Sequence, residues 1–352
     1  MKSLYLLGTA PGCGKTALAV GLAQKLRDEG FTVGYFKPVG SVPTGYRRVD
    51  EDAALMDALL GMGMPPEKLT LVSAGPYYLT RYEEAGTLLE EIRETYRQAS
   101  EGRDVMLIEG PGRPHLMLTL GLDAISLARH LEAQTILVSR VENDFSVDRA
   151  LLFAQYLAAR GVPLVGVLFN NVPRPLLDKT RGVYAPLIER EGIRVLGTLP
   201  CRPEISAPTV EEFADVLAGE ILVGEEHLDN LVEEIMIGAM TLESALGYLR
   251  RAPRKALITG GDRTDMCMAA LETDTAVLIL TGGLFPNVNV LARAAERGVP
   301  VMLVHYDTYT TVQKLQEVAR KIKPDDAEAL ALCRQLVDEG VVWEAILAAL
   351  RS

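Results

Sequence analysis

The nonapeptide Gly8-Thr9-Ala10-Pro11-Gly12-Cys13-Gly14-Lys15-Thr16 carries the residue types needed to hold a phosphate chain. Gly8, Gly12 and Gly14 let the backbone bend so that successive N–H groups point inward at an anion. Leu4-Tyr5-Leu6-Leu7 precedes the turn and Ala17-Leu18-Ala19-Val20 follows it, which reads as strand, turn, helix. The helix start adds the positive end of its dipole to the cradle. Gly12, Cys13, Gly14, Lys15, Thr16 and Ala17 are therefore the expected phosphate-binding residues. Lys15 reaches terminal phosphates, and the Thr16 hydroxyl is placed to hold Mg²⁺. The loop is one residue longer than the common G-x-x-x-x-G-K-[ST] spacing. Cys13 reads either as a small residue that fits the turn or as an oxidisable thiol.

Three further positions offer chemistry to the same anion. Val33, Tyr35 and Phe36 mark a second strand, so Lys37 stands at a strand's carboxyl end, where open α/β sheets place their ligands. It can meet phosphate there or lie solvated on a loop. Asp50-Glu51-Asp52 precedes an apolar helix through Leu60; these acids cap that helix, or one of them holds the metal. Val105-Met106-Leu107-Ile108 is a buried strand that ends in Glu109, the placement of a Mg²⁺-binding acid beside a phosphate loop. Asn170 ends a later strand, where its amide can read a base edge or form a turn.

Strands at 135–139, 162–169 and 194–200 alternate with helices, which predicts a parallel sheet covered on both faces. An amphipathic helix is expected over Glu83–Ala99. Past Ala207 the stretches 210–217 and 222–236 read as acidic helices. A second βα series then begins at Lys255, with Thr-Gly-Gly at residues 259 and 281. Asp262 and Arg263 form either an anion pocket at that turn or a structural ion pair, and His305 has no catalytic partner at recognisable spacing. Ala327–Leu350 reads as one or two amphipathic helices capped by Asp325 or Asp326, suited to docking or dimer contact. The fold class is thus α/β: a doubly wound P-loop parallel sheet (1–215), a second, smaller three-layer α/β domain (216–323) and a helical tail (324–352).

The chain has 352 residues, 48% hydrophobic, with a formal net charge of −11. That balance argues against nucleic acid and acidic membrane surfaces as partners. Cys13, Cys201, Cys267 and Cys333 show no metal or disulfide spacing, which suits reduced thiols in a cytoplasmic protein. The first apolar run is too short for a signal peptide, and no apolar run is long enough to span a bilayer.

Residues 1–215 resemble dethiobiotin synthetase and related ATP-dependent ligases. The resemblance rests on the long loop ending in Gly14-Lys15-Thr16, on Lys37-Pro38-Val39, on Asp52-Ala53-Ala54-Leu55, on Glu109-Gly110 and on Asn170. It implies that Lys15 and Lys37 contact phosphates in catalytic roles. It also implies that Thr16, Asp52 and Glu109 surround Mg²⁺, that Asn170 and the turn at Pro200 bind adenine, and that the protein is a homodimer. The second half looks like a DRTGG domain, by Gly261-Asp262-Arg263-Thr264, Thr281-Gly282-Gly283 and Asp307-Thr308. The pair resembles the amino-terminal extension of long-form phosphotransacetylases, and residues up to Ser352 would lack their acetyltransferase region. Two segments depart from the ligase pattern. Gly8-Thr9-Ala10-Pro11 replaces a polar G-T-D-T start, and Gly110-Pro111-Gly112-Arg113 replaces a G-A-G-G turn, where proline removes an N–H donor.

Intact phosphate chemistry with altered substrate chemistry implies an ATP- and Mg²⁺-dependent regulator, or a slow ATPase, signalling to the second domain. Two other readings stand beside it. One is a ligase that activates a carboxylate or carbamate, with Lys37 and Arg113 holding the acid. The other is a non-catalytic module that dimerises or docks on an acetyltransferase. A small anionic ligand in the second domain is also expected.

Overall fold

The computed structural model describes residues 1–40, 49–75, 77–82, 85–316, 318 and 320–351. Arg47, Arg48, Glu83 and Glu84 lie outside the described residues. Contacts divide the chain into one unit of Met1–Ile205 with Ile322–Ser352 and a second unit of Ser206–Lys321.

The first unit contains strands β1 (Lys2–Gly8), β2 (Val33–Phe36), β3 (Val39–Gly40), β4 (Val72–Ser73), β5 (Val105–Glu109), β6 (Gln134–Arg140), β7 (Leu164–Val172) and β8 (Val195–Pro200). Six of them form one parallel sheet in the order β2-β5-β1-β6-β7-β8; β3 and β4 pair separately. The strands read as continuous apolar runs because helices cover both faces; Leu4, Tyr5, Leu6 and Leu7 of β1 are fully buried. The chain leaves β1 and returns as β2 two places away, so the strand order reverses beside β1. That is where an open α/β sheet leaves a crevice at its carboxyl edge.

The tail belongs to this unit. Helices Ala327–Gly340 and Trp343–Arg351 follow a cap in which the Asp326 carboxylate accepts the Ala329 N–H at 3.0 Å. The first of them lies against α1 (Lys15–Asp28), so close that a Cβ on Gly21 would stand 2.3 Å from the Cys333 carbonyl oxygen. Beyond Gly340 the Val342 N–H donates to the Leu196 carbonyl at 2.7 Å, which covers the open edge of β8. The tail thus supplies part of the helical layer of the first sheet.

The second unit contains β9 (Glu220–Val223), β10 (Glu234–Ile237), β11 (Lys255–Gly260), β12 (Thr275–Thr281) and β13 (Val301–Leu303), in the order β10-β11-β12-β13-β9. β9 is antiparallel and the rest are parallel. The helix expected over 222–236 is absent; β9, a short 3₁₀ turn and β10 take its place. Gly224, at φ +83°, turns the chain there, and the apolar residues on either side form runs too short for a stable helix. Among the described residues no helix is long and apolar enough to cross a membrane.

Candidate functional site

Register brings the chemistry-bearing residues level. Tyr5 on β1 and Phe36 on β2 both stand opposite Ile108 on β5. One residue on, Lys37 and Glu109 emerge together at the carboxyl edge, close to the start of the glycine-rich turn. The turn itself places Gly12 at φ +63° and Gly14 at φ +84°, a conformation that glycine adopts without steric cost. No side chain caps α1, so its first N–H groups remain available to an anion. Lys15 is buried and folds back over the turn: a Cβ on Gly8 would stand 3.1 Å from the Lys15 ammonium and 2.4 Å from Cys13 Sγ.

Thr16 links the turn to the acids. Its hydroxyl donates to Glu109 Oε1 at 3.0 Å and lies near enough to Asp52 to favour that carboxylate's charge. The Tyr35 hydroxyl donates to Glu109 Oε2 at 3.0 Å. Lys37 is buried and pairs with Asp50 Oδ1 at 3.0 Å and, more tightly, with Asp52 Oδ2. Asp50 also caps α2 (Glu51–Leu60), accepting the N–H groups of Asp52 and Ala53 at 3.1 and 3.2 Å. Of the acidic run, Asp50 therefore caps the helix and Asp50 and Asp52 both join the Lys37 cluster.

The electrostatics follow from burial and crowding. Burial pushes the Glu109 carboxyl up to about 7; the Asp52 charge adds to this, and Lys37 and Lys15 oppose it. Burial acts upward on Asp52 too, but the Lys37 charge and the hydrogen bonds from Lys37 and Thr16 outweigh it and hold it below its ordinary value. Lys37 is drawn down by burial and raised more strongly by Asp52, Glu109 and Asp50, so its ammonium stays charged. A hydroxyl and two carboxylates in this pocket are hard oxygen donors that crowd one another, a set that fits Mg²⁺. No group of three or more His, Cys, Asp or Glu side chains is placed to hold a metal among the described residues. The donor set thus suits an ion that takes its remaining ligands from phosphate and water.

On the other side of the turn, Asn170 and Asn171 at the end of β7 grip the loop. Asn170 Nδ2 donates to the Cys13 carbonyl at 2.8 Å, and Asn171 Nδ2 donates to the Gly12 carbonyl at 3.3 Å. Asn170 is buried, and its amide is spent on the loop in this structure. Ala17, Asn170, Asn171, Leu199 and Ile205 line a small cavity beside Gly14, with Cys333, Leu336 and Val337 of the tail behind it. Pro200, at the end of β8, follows directly on this lining. Arg113 is exposed in the turn after β5. Sequence reasoning missed Tyr35, the pairing of Asp50 with Lys37, and Asn171. Tyr35 had a legible signal, since it shares a strand face with Lys37 at a spacing of two.

In the second unit Arg263 donates to the carbonyls of Gly238 and Met240, at 3.3 and 3.0 Å, and pairs with Asp265 at 3.2 Å. Its structural partner is thus Asp265, not Asp262, and its donors bind the end of β10. The parallel strands β10 to β13 run in unbroken spatial order, so no reversal opens a crevice among them. His305 lies against Gly283, where a Cβ would stand 3.2 Å from its Nδ1.

Comparison with known proteins gives two domain matches: an AAA domain at residues 2–209 and a DRTGG domain at residues 212–318. A phosphate acetyltransferase of Pseudomonas putida is 29% identical over 346 residues, covering 93% of this chain and 49% of that protein. A phosphate acetyltransferase of Nitrosomonas europaea is also 29% identical over 346 residues, with coverage of 93% and 49%. The chain spans about half the length of the curated relatives it matches. Among solved structures, a ParA family ATPase from Chlorobium tepidum aligns with a TM-score of 0.37 and 15% identity, over 56% of this chain and 84% of that one. The match across residues 2–209 takes in more than half of the 352 residues, and the chain belongs to that AAA domain family, joined to a DRTGG domain.

Proposed function

We propose that the first unit binds ATP with Mg²⁺ and serves as a nucleotide-responsive regulator, with hydrolysis slow or absent. Lys15 holds the terminal phosphates, and the backbone of Gly12, Cys13, Gly14, Lys15, Thr16 and Ala17 cradles the chain. Thr16, Asp52 and Glu109 surround the ion. When bound, Mg²⁺ neutralises phosphate charge and orients the γ-phosphoryl group. Lys37, kept charged by Asp50 and Asp52, would contact phosphate from the neighbouring strand end. Asn170 and the Pro200 turn border the base, with Asn170 also bracing the loop. The observation that carries this reading is the Thr16–Glu109 hydrogen bond at 3.0 Å, which joins the phosphate loop to the strand-end acid.

Occupancy is relayed to the DRTGG unit through the chain itself. That unit is inserted between Ile205, which lines the cavity beside Gly14, and the tail helix that forms the cavity's other wall. A base bearing on either wall acts on a connection to the second unit. The similarity to phosphate acetyltransferases supports a reading in which this regulation acts beside acetyl-phosphate and acetyl-CoA metabolism, in the cytoplasm.

Titration calorimetry of the full chain with ATP and Mg²⁺ tests the reading. Binding is expected for the wild type and is lost in Lys15→Ala. Absence of heat at millimolar ATP, with or without Mg²⁺, removes the proposal.

A further inference from the structure

Tyr35 is fully buried in β2, and among the described residues its hydroxyl bonds one group, the Glu109 carboxylate. The reach follows from register. Tyr35 pairs with Leu107 on β5, so Glu109, two positions further along that strand, presents its side chain on the same face. Strand side chains lean along the strand direction, which carries the ring toward the carboxyl edge. A phenylalanine would fill the same space, so the buried hydroxyl is the feature that needs a reason. Its target has two oxygens and two donors, and the donors come from different elements. Thr16, at the start of α1, donates to Oε1 at 3.0 Å, and Tyr35, within the sheet, donates to Oε2 at 3.0 Å. The last torsion of a glutamate is broad when nothing holds it. These two bonds hold it, with Oε1 toward the phosphate turn and Oε2 toward the sheet.

We infer that Tyr35 is a positioning residue for the metal site: it occupies Oε2 and leaves Oε1 to the ion, so that Glu109 binds through a single oxygen and the site selects Mg²⁺ over Ca²⁺. The inference rests on the nucleotide reading above and extends it to the identity of the ion. Mg²⁺ demands near-ideal octahedral geometry, whereas Ca²⁺ is larger, tolerates irregular shells and accepts a carboxylate through both oxygens. A glutamate with one oxygen reserved by a buried tyrosine cannot close both oxygens on an ion, which favours the smaller one. Tyr5, on β1, the other neighbour of β5, supplies an internal control. It is equally buried, but its hydroxyl has no hydrogen-bond partner among the described residues. It stands opposite Ile108, so its side chain lies on the other face of the sheet from Glu109.

Titration calorimetry of the full chain with ATP, in Mg²⁺, in Ca²⁺ and in EDTA, reads the outcome. The wild type is expected to bind ATP more tightly with Mg²⁺ than with Ca²⁺. Tyr35→Phe keeps its affinity in EDTA and loses about tenfold of the Mg²⁺-over-Ca²⁺ preference, the worth of one hydrogen bond to a charged group. Tyr5→Phe, the same loss of a buried hydroxyl, leaves that preference in place. Circular dichroism checks the fold. Should Tyr35→Phe unfold, Glu109→Gln and Tyr35→Phe/Glu109→Gln carry no stranded charge, and the two are expected to share one Mg²⁺-to-Ca²⁺ ratio because Tyr35 acts through that carboxylate. A wild type that binds no ATP removes the nucleotide reading and this inference with it. ATP binding with no Mg²⁺ preference, or with one indifferent to Tyr35→Phe, overturns this inference alone. So does an equal loss of affinity in all three conditions, an equal shift in Tyr5→Phe, or a further shift when Tyr35→Phe is added to Glu109→Gln.

Discussion

Replacing Lys37 with methionine tests the electrostatic logic of the site. The change keeps most of the side-chain volume and removes the charge. The Lys37 side chain is 8% exposed, that of Asp50 is 7% and that of Asp52 is 27%. Taking the cation from such a group leaves two carboxylates close together with their charge uncompensated, which costs about 3–5 kcal/mol. Neutralising the whole cluster, as Lys37→Met/Asp50→Asn/Asp52→Asn, removes the stranded charge as well and recovers most of that loss. Urea unfolding followed by fluorescence is the assay. The only tryptophan, Trp343, lies in the first unit with the Lys25 ammonium 4.8 Å from its ring centre, so the signal reports on that unit. The pH dependence has a definite sign. The Asp52 carboxyl is held below its ordinary value, so the stability that the pair contributes is present above pH ~4 and lost as pH falls through the depressed folded value. The gap between wild type and Lys37→Met therefore closes in acid. A Lys37→Met protein within about 0.5 kcal/mol of wild type at pH 7 refutes the reasoning, and so does a triple variant no more stable than the single one.

Two substitutions test the glycines that set the site's geometry. Gly14→Ala meets a left-handed backbone, which costs about 1–2 kcal/mol, and its Cβ would stand 2.3 Å from Asn170 Nδ2. The amide must leave the Cys13 carbonyl, and ATP affinity is expected to fall at least tenfold by calorimetry; unchanged affinity counts against the loop clamp. Gly21→Ala would ordinarily favour a helix interior by about 1 kcal/mol. Here its Cβ would stand 2.3 Å from the Cys333 carbonyl oxygen and 2.6 Å from Val337 Cγ2, so the urea midpoint is expected to fall rather than rise.

What sequence revealed, and what it hid, divides along the range of the forces involved. The phosphate turn was legible because its signal is local: glycines, a lysine and a threonine at fixed spacing between a strand and a helix. Glu109 was legible for the same reason, as an acid at the end of an apolar run. The division of labour between Asp50 and Asp52 was hidden. Three adjacent acids all look like caps, and only the position of Lys37 across the crevice decides which of them pair with it. Asn170 was placed at the right strand end, but its bond to the Cys13 carbonyl spans 157 positions, beyond any local pattern. The stretch 222–236 was misread because acidic residues and scattered apolar ones satisfy a helical period over a window that β9 and β10 divide between them.

The tail shows the same limit at the scale of a domain. Its helices, their period and the Asp326 cap are local features, and the sequence displays them plainly. Its partner is not local, because the face it covers belongs to α1 and β8, on the far side of an inserted unit. The trace of that partnership is a set of glycines whose removal of side-chain bulk makes sense only in three dimensions. A Cβ on Gly21 would meet Cys333, and one on Gly197 would stand 1.9 Å from the Gly340 carbonyl oxygen. Gly21 sits in the middle of a helix, where it costs stability unless something must approach closely. A glycine placed against local propensity thus points to a backbone neighbour, and here that neighbour is the segment to which the chain returns after the second unit.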